Sequence, residues 1–505
     1  MIIRFANVFF VILCPSKNYL INKSVYRNTF MLVRRMGLTI LFASGFLACK
    51  RQLIEASLPA NQSVPITVAI NQNQKGYHIS STFQGLSFET GLLTESPDYL
   101  SENNTVLVQL IKNLGPGILR IGGNRSDEIN WVGDTEVADT ARNSLTTAEI
   151  DRLSAFSQAI KWQVLFGLNL ANNDVNAAAD EAHYLNQSLQ RNLYALQSGN
   201  EPDVFYPRWR PVTYNYNKFQ KEWEGYFSAI KKSAPTVRFA GPDVDPFDPW
   251  WFSSFAENEQ KNVRILDAHY YNTGPASDPS ITYHNILTPS RKLDGFLVQL
   301  NKISASCHLP YRLSECNSVY GGGKKGVSDA FAASLWALDF MWVVAENNGQ
   351  GVNFHGGTSR FAYTPIAVDH GTAAARPEYY AMLAFKHGAI GGTIIPATIA
   401  DPRDYNNCSI YACANTNNTY SITLINKEDK KDFAFTVQLN KTATNIKIAR
   451  LAAPDITSTT GVTFAGSSVN TDGTFTPQTI EQYAINGKSF VINVPAGSAA
   501  VVTVQ

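Results

Sequence analysis

Two glutamates close short apolar runs in this sequence. One is Glu201, in Tyr194-Ala195-Leu196-Gln197-Ser198-Gly199-Asn200-Glu201-Pro202, and the other is Glu315, in Tyr311-Arg312-Leu313-Ser314-Glu315. Pro202 has no N–H to give a ladder and biases Glu201 toward an extended backbone. A buried strand ends in this way when its last polar side chains are held over a cleft. A carboxylate before proline is also a common solvated turn, so the second glutamate at a second strand end is what makes a candidate site. Two carboxylates brought face to face suit cleavage of a glycosidic bond. One, kept protonated, donates to the leaving oxygen while the other attacks the anomeric carbon. A separation of about 5–5.5 Å means retention of configuration, and a wider gap means inversion.

The elements around them must supply that convergence. Strand-like runs are expected at Ser80–Glu89, Gly117–Gly123, Trp162–Leu170, Tyr194–Glu201, Arg238–Asp243, Arg264–Asn272, Tyr311–Ser318 and Gly351–Gly357. Helical stretches are expected at Tyr99–Leu114, Thr147–Ile160, Tyr216–Ser233, Ser290–Ala305, Ser328–Asn347 and Pro377–His387, the last with proline at its start and Gly388 at its end. Strands alternating with helices argue for parallel α/β architecture, and eight of them point to a (β/α)8 TIM barrel. The C-terminal strand ends then carry Glu89, Arg120, Asn169, Asn200, Glu201, Asp243, His269, Tyr271, Glu315 and His355 to one mouth. That is more polar side chain than core packing explains. A doubly wound open sheet is the competing architecture, but no Gly-rich phosphate loop opens an early helix.

After the last helix the texture changes. From 389 to 505, short alternating runs such as Tyr420–Ile425, Phe433–Val437, Ser489–Val494 and Ala500–Val504 read as a β-sandwich. The strand Val64–Ile70 precedes the barrel and can return to that sandwich. The expected domains are therefore a leader (1–49), a tether (50–63), an N-terminal strand joining the sandwich (64–79), a catalytic barrel (80–388) and the sandwich (389–505).

Bulk properties exclude several classes. Lys+Arg number 42 against 41 Asp+Glu, a net charge of +1 without long runs of one sign, so nucleic acid is not an expected partner. With no His/Cys cluster at zinc spacing, no metal or other cofactor is expected. Cys408 and Cys413 bracket a segment that can close a local disulfide in an oxidising compartment, and Cys307 and Cys316 flank the seventh strand. Residues from Arg34 to Cys49 have a basic head, an apolar middle too short to span a bilayer, and small residues before a cysteine. Leu47-Ala48-Cys49 resembles a bacterial lipobox, with Phe46 where leucine is usual. It implies lipidation at Cys49, a membrane anchor through that lipid, and export to the periplasm, outer membrane or cell surface. An uncleaved anchor is the alternative. The first 30 residues do not fit a signal head, so the start of translation is expected at Met31 or Met36.

Asn200-Glu201-Pro202 on strand four with Glu315 on strand seven resembles the retaining barrel clan of glycoside hydrolases, clan A. Glu315-Cys316-Asn317-Ser318-Val319-Tyr320-Gly321-Gly322-Gly323, Leu119-Arg120-Ile121-Gly122-Gly123 and His269-Tyr270-Tyr271 resemble, more narrowly, family 79, the β-glucuronidase and heparanase group. The resemblance implies a barrel paired with a β-sandwich, Glu201 as acid/base and Glu315 as nucleophile. It also implies Glu89 and Asn200 on ring hydroxyls, and Tyr271 bonded beside the nucleophile. Tyr320 and the amides of Gly321, Gly322 and Gly323 would hold a uronate carboxylate, with Tyr363 near the same end. Consecutive glycine N–H groups can form such an anion nest without arginine. Lys324 and Lys325 depart from heparanase-like loops, and Arg120 is expected to keep Glu315 ionised. His269 and His355 are as readily structural as functional. The substrate so implied is a uronic-acid-containing carbohydrate, cleaved by a retaining exo-β-glucuronidase. The alternatives are a heparanase-like endo-acting hydrolase and a catalytically silent glycan-binding lipoprotein.

Overall fold

The computed structural model describes residues 63–134, 143–245, 249–401 and 407–505. The leader with Cys49 lies outside them, as does the tether apart from Ser63. Eight parallel strands follow in chain order: Gln84–Glu89, Ile118–Gly122, Gln163–Leu168, Leu193–Ser198, Ala240–Val244, Ile265–Thr273, Tyr311–Val319 and Val352–Gly356. They are called barrel strands one to eight below. Strand eight pairs with strand one in parallel, and a parallel bridge between Leu196 and Phe239 joins strands four and five, closing the circle. The barrel and its attached sheet are thus the TIM barrel and sandwich that the alternation of patterns predicts.

Helices cover the outside because their apolar faces have nowhere else to go. The helix Phe331–Glu346 is buried along almost its whole length, wedged between the barrel and the second domain. Two longer helices among the described residues lie outside the stretches expected from sequence, Val175–Leu189 and Pro249–Glu259, besides the short Gly91–Glu95 and Tyr283–Leu287. The first is rich in Asn, Asp and Ala with a weak apolar stripe. Its start is nonetheless marked by Asp174, whose side chain accepts from the amides of Asn176 and Ala177.

The barrel axis is unusually polar. At its base a small apolar plug of Ile118, Leu165, Ala195, Ala240 and Ile265 seals the strand starts. At the same end Arg312, fully buried, donates to Asn353 and to the carbonyls of Thr82, Gln350, Phe83 and Val352. Burial without a carboxylate partner pulls the pKa of Arg312 down to about 10.

The second domain is a nine-stranded sheet curled around its own core of Ile66, Val68, Phe435, Val437, Ile446, Ile448 and neighbours. Its spine is the strand Phe433–Ala452. Val64–Ile70 pairs in parallel with the first half of that strand, and Ser498–Val504 pairs antiparallel with the second. The N-terminal strand is therefore built into the C-terminal sheet. No disulfide joins Cys408 to Cys413, which corrects the disulfide expectation. They sit five positions apart on one strand, Cys408–Ala414, so about 16 Å of extended chain separates them, too far to bridge. Among the described residues no helix is long and apolar enough to cross a membrane.

Candidate active site

Arg120 stands on strand two with its guanidinium fully buried, and it uses all five of its N–H donors. Nη1 donates to Glu315 Oε2 at 2.7 Å and to Ser87 Oγ at 3.1 Å. Nη2 donates to Asp243 Oδ2 at 2.6 Å and Asn200 Oδ1 at 2.9 Å, and Nε donates to Gln197 Oε1 at 3.1 Å. Gly122 makes room, because a Cβ there would lie 2.7 Å from the guanidinium carbon. Burial opposes the charge on Arg120, but Asp243 and Glu315 outweigh it and hold the group fully protonated.

Glu315 is 7% exposed and receives a second hydrogen bond, from Tyr271 Oη at 2.7 Å. Burial alone would raise its pKa. The positive charges of His355, His269 and Arg120, with the Tyr271 hydrogen bond, reverse this and hold the carboxyl well below the usual range. Glu315 is thus an ionised, oriented carboxylate facing the mouth, as a nucleophile requires.

Strand four ends at Ser198, and Glu201 beyond it is left-handed, φ +51°, rather than extended as the following proline favours, with its side chain turned toward His269. Oε1 lies 2.8 Å from His269 Nδ1, and His269 Nε2 lies 2.8 Å from Asp243 Oδ1. Burial disfavours the imidazolium, but Asp243 and Glu315 raise its pKa well above the ordinary value. His269 is therefore a charged clamp between two carboxylates. Asp243, ionised beside Arg120 and His269 despite its burial, also accepts from Ser314 at 2.8 Å.

The remaining candidates surround this pair. Glu89 accepts from the amide of Arg125 at 2.8 Å and lies 3.6 Å from His355 Nε2. The amide of Asn200 is fixed by Asp127 Oδ2 at 2.8 Å. Tyr363 is buried with its ring 5.9 Å from that of Tyr271, and the half-exposed Tyr320 meets Tyr271 edge-on at 6.5 Å. Gly321, Gly322 and Gly323 all have positive φ, at +84°, +91° and +80°, a run that L side chains rarely adopt. The structure narrows the expected nest, since the amide of Gly323 is spent on the carbonyl of Val319 at 3.1 Å. The amides of Gly321 and Gly322 have no partner among the described residues. Lys324 is turned aside, its Nζ donating to the carbonyl of Asp278, and Lys325 is exposed.

Glu201, His269 and Glu315 each bring a ligand-type atom within 4.8 Å of the others. The raised pKa of His269 keeps both ring nitrogens protonated toward carboxylates, so it has no lone pair for a metal. Sequence reasoning left His269 and His355 unassigned and gave Asp243 no role beyond its strand end. The spacing carried no sign that His269 and Asp243 would be bonded to each other and to Glu201.

The family model described as Glycosyl hydrolase family 79, N-terminal domain, matches residues 226–341, which include His269, Tyr271, Glu315 and the Tyr320–Gly323 turn. That described as Glycosyl hydrolase family 79 C-terminal beta domain matches residues 410–501. A β-glucuronidase of Aspergillus niger is 22% identical over 484 residues, covering 83% of this chain and 86% of its own length. A β-glucuronidase of Neurospora crassa is 24% identical over 384 residues, covering 65% of this chain and 67% of its own. Among solved structures, a 4-O-α-L-rhamnosyl-β-D-glucuronidase from Fusarium oxysporum superposes with a TM-score of 0.73 at 18% identity, covering 87% of this chain and 100% of that one. This last likeness is one of fold.

Proposed function

The chain belongs to glycoside hydrolase family 79 and is a glycoside hydrolase, and from that premise we propose that it is a retaining, exo-acting β-glucuronidase. The observation that carries the reading is the approach of the Glu201 and Glu315 carboxylates, whose oxygens come within 4.8 Å. Retaining enzymes hold the pair about 5–5.5 Å apart, whereas inverting ones leave about 6.5–9.5 Å for a water. In the first step the Glu315 carboxylate attacks C1, the C1–oxygen bond breaks, and Glu201 gives its proton to the leaving oxygen. In the second, Glu201 takes a proton from water, the water oxygen attacks C1, and the ester to Glu315 breaks. Two inversions at C1 give net retention.

The uronate reading is supported by the turn after strand seven. Tyr320 and the unpaired amides of Gly321 and Gly322 are donors without matching acceptors, suited to a carboxylate at C6. Action on a long polyanionic chain calls for a basic rim. Here the net charge is +1, and Arg125, Arg208 and Arg210 are each paired with a glutamate, which supports the exo reading. The test is kcat/KM on an aryl β-glucuronide and the matching aryl β-glucoside, with product configuration followed by NMR. A preference of roughly a hundredfold is expected, because two unpaired donors cost about 1–3 kcal/mol each. The β-anomer should appear first. A ratio near one refutes the uronate assignment, and the α-anomer first refutes retention.

Export as a lipoprotein is a further part of the proposal and rests on the Leu47-Ala48-Cys49 pattern. Labelled palmitate should enter the wild-type protein in a bacterial host and not Cys49→Ala, and equal labelling of both removes the assignment.

A further inference from the structure

Two residues beyond Glu315 on strand seven, the side chain of Asn317 is completely buried. Its partners fix which way the amide points. Oδ1 accepts from the backbone N–H of Ser318 at 2.7 Å, and Nδ2 donates to the carbonyls of His355 and Tyr363 at 2.9 and 3.2 Å. A third acceptor, Glu378 Oε2, lies 3.4 Å from the same NH2, and burial pushes the pKa of that carboxyl well above the ordinary range. Asn317 therefore bonds strand seven to the loop after strand eight, at the residue whose ring packs beside Tyr271.

A second arm runs from the same side chain to the glycine turn. The Ser318 hydroxyl donates to Ser328 Oγ at 3.0 Å and lies 3.2 Å from Asn317 Oδ1. Ser328 Oγ in turn accepts at 3.0 Å from the amide of Lys324, the residue that follows Gly323. Ser318 and Ser328 are both buried, where a low dielectric strengthens each bond of the chain. The two arms meet again at their far ends. The amide of Ala362 donates to the carbonyl of Gly322 at 2.6 Å, and a Cβ on Gly323 would lie 2.5 Å from the nitrogen of Tyr363. Turn and loop thus close a circuit with Asn317 at its root.

Tyr320 and Tyr363 both pack against Tyr271, the residue bonded to Glu315. Donors on the turn can read a carboxylate at C6 only while turn and loop keep one separation, because hydrogen bonds weaken steeply when misaligned. We propose that Asn317 is a positioning residue that sets this separation, and through it the preference for a uronate over the corresponding hexose. The proposal rests on the glucuronidase reading. Being buried, Asn317 offers no surface to the sugar, and it acts through the backbone of Tyr363 and of the turn.

The test is the ratio of kcat/KM for an aryl β-glucuronide to that for the matching glucoside, in wild type, Asn317→Ala and Ser328→Ala. Losses common to both substrates cancel in this ratio, so a merely structural role leaves it unmoved. The ratio should fall about tenfold in each variant, through the KM of the glucuronide more than its kcat. Ser328→Ala removes one hydroxyl at the far end of the second arm, and it decides the outcome if Asn317→Ala does not fold. In Ser328→Ala combined with Gly322→Val, the ratio should match that of Gly322→Val alone, because the turn is then already displaced. A wild-type ratio near one refutes the uronate reading and this proposal with it. A high wild-type ratio that stays within twofold in Ser328→Ala, or in a folded Asn317→Ala, overturns this proposal alone, as does an additive fall in the double variant.

Discussion

His269 holds Glu201 through a single hydrogen bond of 2.8 Å, Nδ1 to Oε1, and does so as an imidazolium anchored on its far side to Asp243. The proposed proton donor is thus aimed by a neighbour that is itself positive. His269→Asn keeps a donor toward Glu201 and removes the charge. The variant should lose about tenfold or more in kcat/KM, because a hydrogen bond to a charged group is worth about 1.5–3 kcal/mol. An unchanged kcat/KM would reduce His269 to a steric support.

Glu315→Gln removes the attacking carboxylate and leaves Arg120 with a neutral acceptor. Turnover should fall by at least about a thousandfold with every leaving group, while thermal unfolding remains a single transition. Near-normal turnover would remove Glu315 from the nucleophile role.

Glu201→Ala removes the proton donor but not the nucleophile. Poor leaving groups should lose about 10²–10⁴ in kcat/KM, and activated nitrophenyl glycosides far less in the glycosylation step. Comparable losses across a leaving-group series would argue that Glu201 serves another purpose.

Gly322→Val acts through the backbone. A Cβ at this position meets open space, but φ of +91° is hostile to a β-branched residue. The turn should refold locally and carry its free amides away from the sugar. The glucuronide-over-glucoside preference should shrink by about tenfold or more, while glucoside turnover persists. A preserved preference would place uronate recognition elsewhere, with Tyr363 the next residue to examine.

Glu181, buried on the helix Val175–Leu189, has its pKa raised to about 8, first by burial and then by Asp180. A carboxyl raised from an unfolded value of about 4.3 contributes stability that is complete at low pH and is lost as pH climbs from about 4 to about 8. Glu181→Gln does not ionise. Relative to wild type, the variant should gain more than about 1 kcal/mol in urea unfolding between pH 4 and pH 8. Parallel pH dependence in both proteins would show that Glu181 is not the source.

Much of this arrangement is visible in the chain before folding. Strand ends announce themselves through apolar runs that stop at Glu89, Glu201, Glu315 and His355, and barrel closure then follows from geometry. What sequence does not carry is pairing across the barrel. Gln197, Ser87 and Ser314 read as ordinary polar residues inside strands, yet they complete the shells of Arg120 and Asp243. The fate of the Gly323 amide was hidden for a related reason, because it depends on how three left-handed residues curl back toward Val319. Cys408 and Cys413 misled because spacing along a chain says nothing of extension. On a strand, five residues carry the thiols apart.

Arg120 draws its partners from strands one, four, five and seven and from Asn200, two residues past strand four, and leaves no donor spare. Replacing any one of those partners by an apolar residue strands a buried N–H beside the proposed nucleophile. For redesign this divides the molecule in two. The loops that greet the substrate can be altered one residue at a time, whereas the ring around Arg120 can change only in concert. A library built to shift specificity should leave that ring untouched, with Asp127 that fixes the Asn200 amide, and spend its diversity on the segments 128–130, 204–212 and 320–326.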